Sequence, residues 1–280
     1  MDNKVTLTGH RGWRGKYPEN TMRGFREVLK IDVDAIEMDA HMTKDYQIVV
    51  CHDPNLARTT DKEGFIYNMT LEEVREADAG IKFGEEFKGE KIPTFEEFCQ
   101  LMATRPDVKL LLELKDYPEE LGDFAYASAE LTLSICKKYG IFGKDRLTVI
   151  TFSTGICAWL RARYTRDDFS VHGFYPKSKM KGYESDDPYK YYDEVCLFNK
   201  GDKDPTGFPI AHGSIVADKA RYTEFSLMGI KPCVYYTMNT DEEVYRKSYE
   251  NGAIGFTCDH PDICGEILDR LGARKLKNKI

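Results

Sequence analysis

Short β-rich runs alternate with helical patterns along most of this sequence, and that alternation constrains the fold more than any other feature. "KVTLTG" precedes the helical "NTMRGFREVLKI", and "VKLLLELK" precedes "DFAYASAELTLSICKKYG". "RLTVITF" then leads into "TGICAWLRARY", "KPCVYYTMN" into "TDEEVYRKSYENG", and "AIGFTCDHP" into "DICGEILDRL". "DAIEMDA" and "QIVVCHD" come together ahead of a long polar stretch. Repeated strand–helix units predict a parallel sheet, and strands apolar on both faces predict one covered on both sides. An open doubly wound sheet and a closed barrel both satisfy that pattern. No GxGxxG follows the first run, whereas polar residues recur at strand ends: His10, Asp39, His52, Lys115, Asn239 and Asp259. A TIM barrel builds its active site at that end from many strands. The expected class is therefore α/β, a (β/α)8 TIM barrel.

Local signals refine this reading. Thr70 with Glu73, Thr94 with Glu97 and Thr240 with Glu243 have capping-box spacing. Phe124, Ala127, Leu131 and Ile135 share one face of a helix that stops at Gly140, a C′ glycine. Two stretches break the alternation. Residues 54 to about 93 hold one short helix and read as a small insertion after the second strand region. Residues 176 to 213, rich in Tyr, Lys and Asp, hold one strand around Val195 to Phe198. Residues 1–280 read as one domain.

Composition removes several functions. The net charge is −7 and the basic residues are scattered, which argues against nucleic acid. No apolar run approaches the ~20 residues of an integral membrane segment, and "MDNKVTLTGH" lacks the apolar core of a signal peptide. The eight cysteines form no CxxC pair, so a zinc site or disulfide framework is not expected. Buried free thiols in a reducing cytoplasm are the better reading. No exposed apolar helix face stands out to define an oligomer.

"IEMD" places Glu37 and Asp39 at i and i+2, on one side of a strand. Two converging carboxylates repel unless a cation joins them, and oxygen ligands suit Mg²⁺, Ca²⁺ or Mn²⁺. A solvated edge strand with alternating acids explains that pair equally well. "LLLELK" shifts the balance, because Glu113 and Lys115 interrupt a strongly apolar strand at the same spacing. Unpaired charge there costs several kcal/mol, so a third metal carboxylate and a cation for an anionic substrate are expected. His10 and His52 each end a β-run and can divide general-base and general-acid work. His41, His172, His212 and His260 lack that setting and read as structural or surface residues. Arg11 offers a forked cation suited to phosphate oxygens. Together these groups fit hydrolysis of a phosphodiester.

In order, "HRG", "PENT", "EMD", "TKD", "VVCHD", "RTT" and "LELK" resemble the glycerophosphodiester phosphodiesterases. The resemblance runs through most of the chain and is sharpest between residues 8 and 115. It implies a TIM barrel with a small insertion after the second histidine, and His10 and His52 as the acid–base pair. It implies Glu37, Asp39 and Glu113 as carboxylates for a divalent metal ion, Mg²⁺ or Ca²⁺ and also Mn²⁺. Arg11 and Lys115 become phosphate contacts, and "PENT" buttresses the first turn with Glu19 and Asn20 near the site. Where the family usually reads Trp-Thr-x-Asn, this chain has Tyr236-Thr237-Met238-Asn239, so Tyr236 is expected to keep an aromatic wall against the substrate. Phe256 and Cys258 also depart from the family's choices. The implied activity is metal-dependent hydrolysis of small-molecule glycerophosphodiesters to glycerol 3-phosphate and an alcohol, in lipid and glycerol metabolism. Two other readings remain. One is a lysophospholipase D or sphingomyelinase D-like phosphodiesterase, for which Tyr183, Tyr189, Tyr191 and Tyr192 could supply an apolar rim. The other is a catalytically silent glycerophosphodiester-binding barrel.

Overall fold

The computed structural model describes residues 5–197 and 218–274. Among them, nine strands run in the order β1 (Thr6–Gly9), β2 (Ala35–Met42), β3 (Ile48–Val50), β4 (Lys109–Leu114), β5 (Leu147–Ile150), β6 (Ser170–Tyr175), β7 (Glu194–Leu197), β8 (Lys231–Tyr236) and β9 (Gly255–Cys258). Every strand but β3 pairs parallel to its neighbours. β1 pairs with β9 on one side, Leu7 opposite Phe256, and with β2 on the other, Thr8 opposite Ala35, so the sheet closes on itself. The result is the expected (β/α)8 TIM barrel.

β3 is not one of the eight staves. It folds back antiparallel on β2, with Ala40 opposite Val50, and extends β2 above the barrel rim. The fifth stave is instead "SVHGFY" (β6), a strand the sequence patterns do not announce. Tyr192 explains its glycine: a Cβ at Gly173 would lie within 2.0 Å of the Tyr192 ring. That ring is buried, so the tyrosine-rich stretch covers β6. Tyr189 packs edge-on to Phe225 and Tyr192, and Tyr183 and Tyr191 also lie against the core. These four tyrosines do not form the exposed apolar rim that the lysophospholipid reading would need. The strand expected at Val195 to Phe198 is β7, with Phe198 outside the described residues, as is His212.

The helices follow the local signals with two corrections. The boxes at Thr70 and Thr94 are formed, each threonine accepting from the backbone N–H three residues on. At Glu242–Asn251 the N-cap is Asp241 rather than Thr240; its Oδ1 accepts from Glu243 N at 2.9 Å. Asn239 Oδ1 accepts from Asp241 N, so the chain turns into the helix one residue later than the box spacing predicts. Helix Asp123–Lys138 ends before Gly140, whose φ is 69°. However, it buries Ala125, Ser128, Ala129, Thr132, Leu133 and Cys136, while Ala127 is exposed. Small residues let this helix approach the barrel closely, and Phe124, Leu131 and Ile135 fall on the flank.

One apolar cluster joins barrel and helices from Val5 to Ala273. Phe25 and Phe98 meet edge-on within it at 4.6 Å, and burying a side chain of that size contributes about 1.5–3 kcal/mol. The stretch after His52 forms a separate cluster, Leu56, Ile66, Val74, Ala77, Ala79 and Ile92 closing on Val49 and Cys51. All eight cysteines are buried free thiols, and among the described residues no helix is long and apolar enough to cross a membrane.

Candidate active site

The site forms where the C-terminal ends of β1, β2, β4 and β9 meet the hairpin strand β3. Just past β1 the backbone turns sharply. Arg11 takes φ 52° and Gly12 φ 85°, and a Cβ on Gly12 would press on the Gly24 carbonyl at 3.1 Å. Asn20 also has positive φ, 55°, and its N–H donates to Arg11 O at 3.0 Å. Two non-glycine residues held left-handed in one turn cost of order 1–3 kcal/mol each and are commonest at functional sites. The turn aims the Arg11 backbone N–H at Glu37 Oε2, 2.8 Å away.

On β2 the period of two brings Glu37 and Asp39 to the lumen, and Glu113 on β4 stands opposite Asp39 in the register. One oxygen from each of the three lies within 4.8 Å of the others, and all three are buried. Lys115 Nζ donates to Glu113 Oε1 at 2.7 Å and lies 3.4 Å from Asp39 Oδ1. Asn20 Nδ2 donates to Asp39 Oδ2 at 2.8 Å. Arg11 Nη1 donates to Glu19 Oε1 at 2.9 Å, while its Nε lies 3.4 Å from Asp39 Oδ2.

Each expected catalytic histidine has its Nδ1 fixed by a carboxylate. His10 Nδ1 lies 2.6 Å from Asp259 Oδ1, and its Nε2 lies 3.9 Å from Glu37 Oε2. His52 Nδ1 lies 2.5 Å from Asp53 Oδ1. Burial lowers the pKa of His10, Arg11 lowers it further, and Asp259 does not restore it. Burial, Arg11 and Lys115 hold His52 well below the usual imidazole value. Burial and the Asp39 charge push the Glu37 carboxyl well above the usual carboxylate range. Burial also raises Glu113, despite Lys115. Asp39 goes the other way: Lys115, His52, Arg11 and the Asn20 amide outweigh burial and keep it ionised.

The carboxylates fit a divalent cation. Glu37 Oε1 and Asp39 Oδ1 are buried without a hydrogen-bond partner. In the network of named groups, the cations Arg11, Arg14, Arg58 and Lys115 face the carboxylates Glu19, Glu37, Asp39, Asp53, Glu113 and Asp259. Fully ionised, that network carries two more negative charges than positive, and an all-oxygen donor set suits a hard divalent ion.

Seven of the eight expected site residues thus converge: His10, Arg11, Glu37, Asp39, His52, Glu113 and Lys115. Tyr236 does not. Its hydroxyl hydrogen-bonds Ser248, and its ring packs edge-on to Tyr245 on the outside of the barrel. Strand alternation turns the preceding residue inward instead. Tyr235 meets the rings of His10 at 5.9 Å and His172 at 5.6 Å.

Sequence reading did not assign Asp259, although it marked that residue as a polar strand end. Asp259 also accepts from Arg14 Nη1 at 3.1 Å and Met238 N at 2.9 Å. Glu19 is the hub beneath, receiving Arg11, Arg14 Nε at 2.9 Å and Arg58 Nη2 at 2.7 Å. His41 is structural, as expected: its Nδ1 meets Asp116 Oδ1 at 2.7 Å. Beside His52 and Lys115 opens a cavity of about 610 Å³ whose apolar wall is Phe65, Tyr67, Tyr117, Leu121 and Phe152.

Residues 10–263 match the sequence profile of the glycerophosphoryl diester phosphodiesterase family. A glycerophosphodiester phosphodiesterase of Caldanaerobacter subterraneus subsp. tengcongensis is 44% identical over 112 residues, 40% of this chain and 46% of that protein, so the chain spans about half of that relative's length. Lysophospholipase D GDPD1 of Rattus norvegicus is 26% identical over 94% of this chain and 86% of its own length. Among solved structures, a phosphodiesterase of Oleispira antarctica in complex with the product sn-glycerol-3-phosphate superposes with a TM-score of 0.76. It is 22% identical over 95% of this chain and 97% of its own, a likeness of fold.

Proposed function

This chain belongs to the glycerophosphoryl diester phosphodiesterase family, and on that premise we propose that it hydrolyses glycerophosphodiesters to glycerol 3-phosphate and an alcohol with a divalent metal ion. The observation that carries this reading is the pair of buried histidines, each tied through Nδ1 to its own carboxylate, flanking three clustered carboxylates. With Nδ1–H donated to Asp259 or Asp53, the neutral ring presents Nε2 as the proton-accepting atom. One histidine takes the proton of the attacking hydroxyl, and the other, protonated, returns one to the departing alkoxide. Attack by the glycerol 2-hydroxyl, with later opening of a cyclic phosphate by water, and direct attack by water use the same pair. Glu37, Asp39 and Glu113 would hold the metal, which supplies charge neutralisation at the phosphate when bound. Arg11 and Lys115 face the phosphate as fixed cations, held by Glu19 and Glu113. The proposed compartment is the cytoplasm, in keeping with eight unpaired thiols.

The test is release of glycerol 3-phosphate from glycerophosphocholine, glycerophosphoethanolamine, glycerophosphoglycerol and glycerophosphoinositol. Each is assayed in EDTA and then with Mg²⁺, Ca²⁺ or Mn²⁺ restored. Release that stops with chelation and returns with metal is the expected result. No release from any diester under any metal overturns the proposal.

The apolar wall of the cavity beside His52 favours a second reading, a lysolipid whose acyl chain lies along that wall. Phe65 is 44% exposed at its edge. Hydrolysis of lysophosphatidylcholine faster than glycerophosphocholine would select it.

A further inference from the structure

The lumen holds a second group of side chains that phosphodiester chemistry does not use. His172 on β6, Glu194 on β7 and Cys233 on β8 come from three neighbouring staves, His172 directly opposite Glu194 in the register. An imidazole nitrogen, a carboxylate oxygen and the thiol sulfur lie within 4.8 Å of one another, and all three residues are buried. His172 is 1% exposed, its Nδ1 lies 3.4 Å from Glu194 Oε2, and its Nε2 has no hydrogen-bond partner. A buried polar atom left unsatisfied is costly, so this ring is poorly served by the protein alone.

These residues line a cavity of about 380 Å³. Thr6, Lys109, Lys231 and Gly255, which begin their strands, also line it, so it opens at the N-terminal end of the barrel, opposite the candidate active site. Asp34, Asp107, Asp145 and Glu194 outnumber the two lysines around it, which favours cations there. Lys109 Nζ pairs with Glu194 Oε1 at 3.6 Å, leaving Oε2 on the His172 side.

We propose that His172, Glu194 and Cys233 form a second metal site, of the zinc class, that clamps three consecutive staves and keeps its cavity side open to water or an external ligand. The donor set decides the class. Mixed nitrogen, oxygen and sulfur donors select zinc-like ions over Mg²⁺ and Ca²⁺, and three protein ligands with one open position is a familiar zinc arrangement. In the metal-free protein Cys233 Sγ donates to Lys231 O at 3.7 Å. On binding, that thiol proton passes to solvent and a sulfur–metal bond replaces it. The three ligands lie 22 and 39 positions apart in sequence, so no short cysteine motif announces them. This site is independent of the phosphodiesterase reading.

Tag-free protein stripped with chelator is titrated with Co²⁺ and followed by absorption. The expected result is a thiolate-to-cobalt charge-transfer band that Zn²⁺ displaces. It persists in Glu37→Gln/Glu113→Gln, which disables the upper carboxylates, and is lost in Cys233→Ser and His172→Gln. A wild-type protein without the band, or a band that survives Cys233→Ser, overturns the proposal. Should Cys233→Ser fail to fold, wild-type protein is alkylated with iodoacetamide and mapped by mass spectrometry. Zn²⁺ then protects Cys233 if the site exists, and equal labelling with and without Zn²⁺ overturns it.

Discussion

Asp259, just past the strand that closes the barrel, holds Nδ1 of His10 at 2.6 Å from the far end of the chain, 249 positions away. The contact depends on closure: β1 and β9 must pair for the two side chains to meet. It fixes the ring's tautomer and aims Nε2 toward the Glu37 carboxylate. Asp259→Asn and His10→Ala are therefore each expected to lower kcat by about 10²–10⁴-fold. The double variant should be no slower than the worse single one, because the two residues act as a unit. Steady-state kinetics of the three variants checks this. Multiplying losses would show that Asp259 works apart from His10.

Both histidines have depressed pKa values, so whichever of them acts as the base sets an acid side of the pH profile shifted downward. A base with a lowered pKa stays unprotonated as pH falls through the ordinary imidazole value of about 6.5. The acid limb of kcat/KM is thus expected to inflect below that value. A bound cation moves it the same way, so the sign does not depend on metal loading. Profiles of kcat/KM against pH for wild type and Asp53→Asn test it; an inflection above pH 7 in the wild type contradicts it.

Glu37 and Glu113 carry the cost of the buried carboxylate cluster proposed to hold a metal ion. Their folded pKa values are raised, so stability present below the unfolded value of about 4.5 is lost as pH rises through the folded values. Asp39 has the opposite sign, and its contribution is lost only on strong acidification. Metal-free protein is therefore expected to weaken from pH 5 upward relative to metal-loaded protein. Glu37→Gln should stabilise the metal-free form at neutral pH by about 1 kcal/mol while abolishing the thermal response to Mg²⁺. Melting curves in EDTA and in metal from pH 5 to 8 decide it, and a gap that narrows with rising pH refutes it.

Much of this site could be read from residue type and spacing, because burying charge is costly. Glu113 and Lys115 stand out in an apolar strand, and the i, i+2 spacing of Glu37 and Asp39 puts both on one face whichever sheet they join. Those arguments are local. Asp259 needed the closure of the barrel, and Glu19 needed three arginines brought from 11, 14 and 58. The apolar pattern of β3 does not separate it from a stave, because an antiparallel return strand has the same pattern as a parallel one. β6 was missed because its glycine is explained only by a tyrosine 19 positions later. Tyr236 failed on parity: two adjacent tyrosines on a strand face opposite ways, and nothing local says which faces the lumen.

That parity can be tested directly. Tyr236 hydrogen-bonds Ser248 and packs edge-on to Tyr245 outside the barrel, so Tyr236→Phe removes one buried hydrogen bond and nothing from the site. It is expected to cost about 1 kcal/mol of stability, with kcat and KM for any accepted diester unchanged. Tyr235 sits edge-on to His10 in the lumen, so Tyr235→Leu should lower turnover by loosening that ring's packing. Urea unfolding and kinetics of both variants separate the two roles. A rise in KM for Tyr236→Phe at unchanged stability would return it to the substrate wall, and equal kinetics for Tyr235→Leu and wild type would remove Tyr235 from the support of His10.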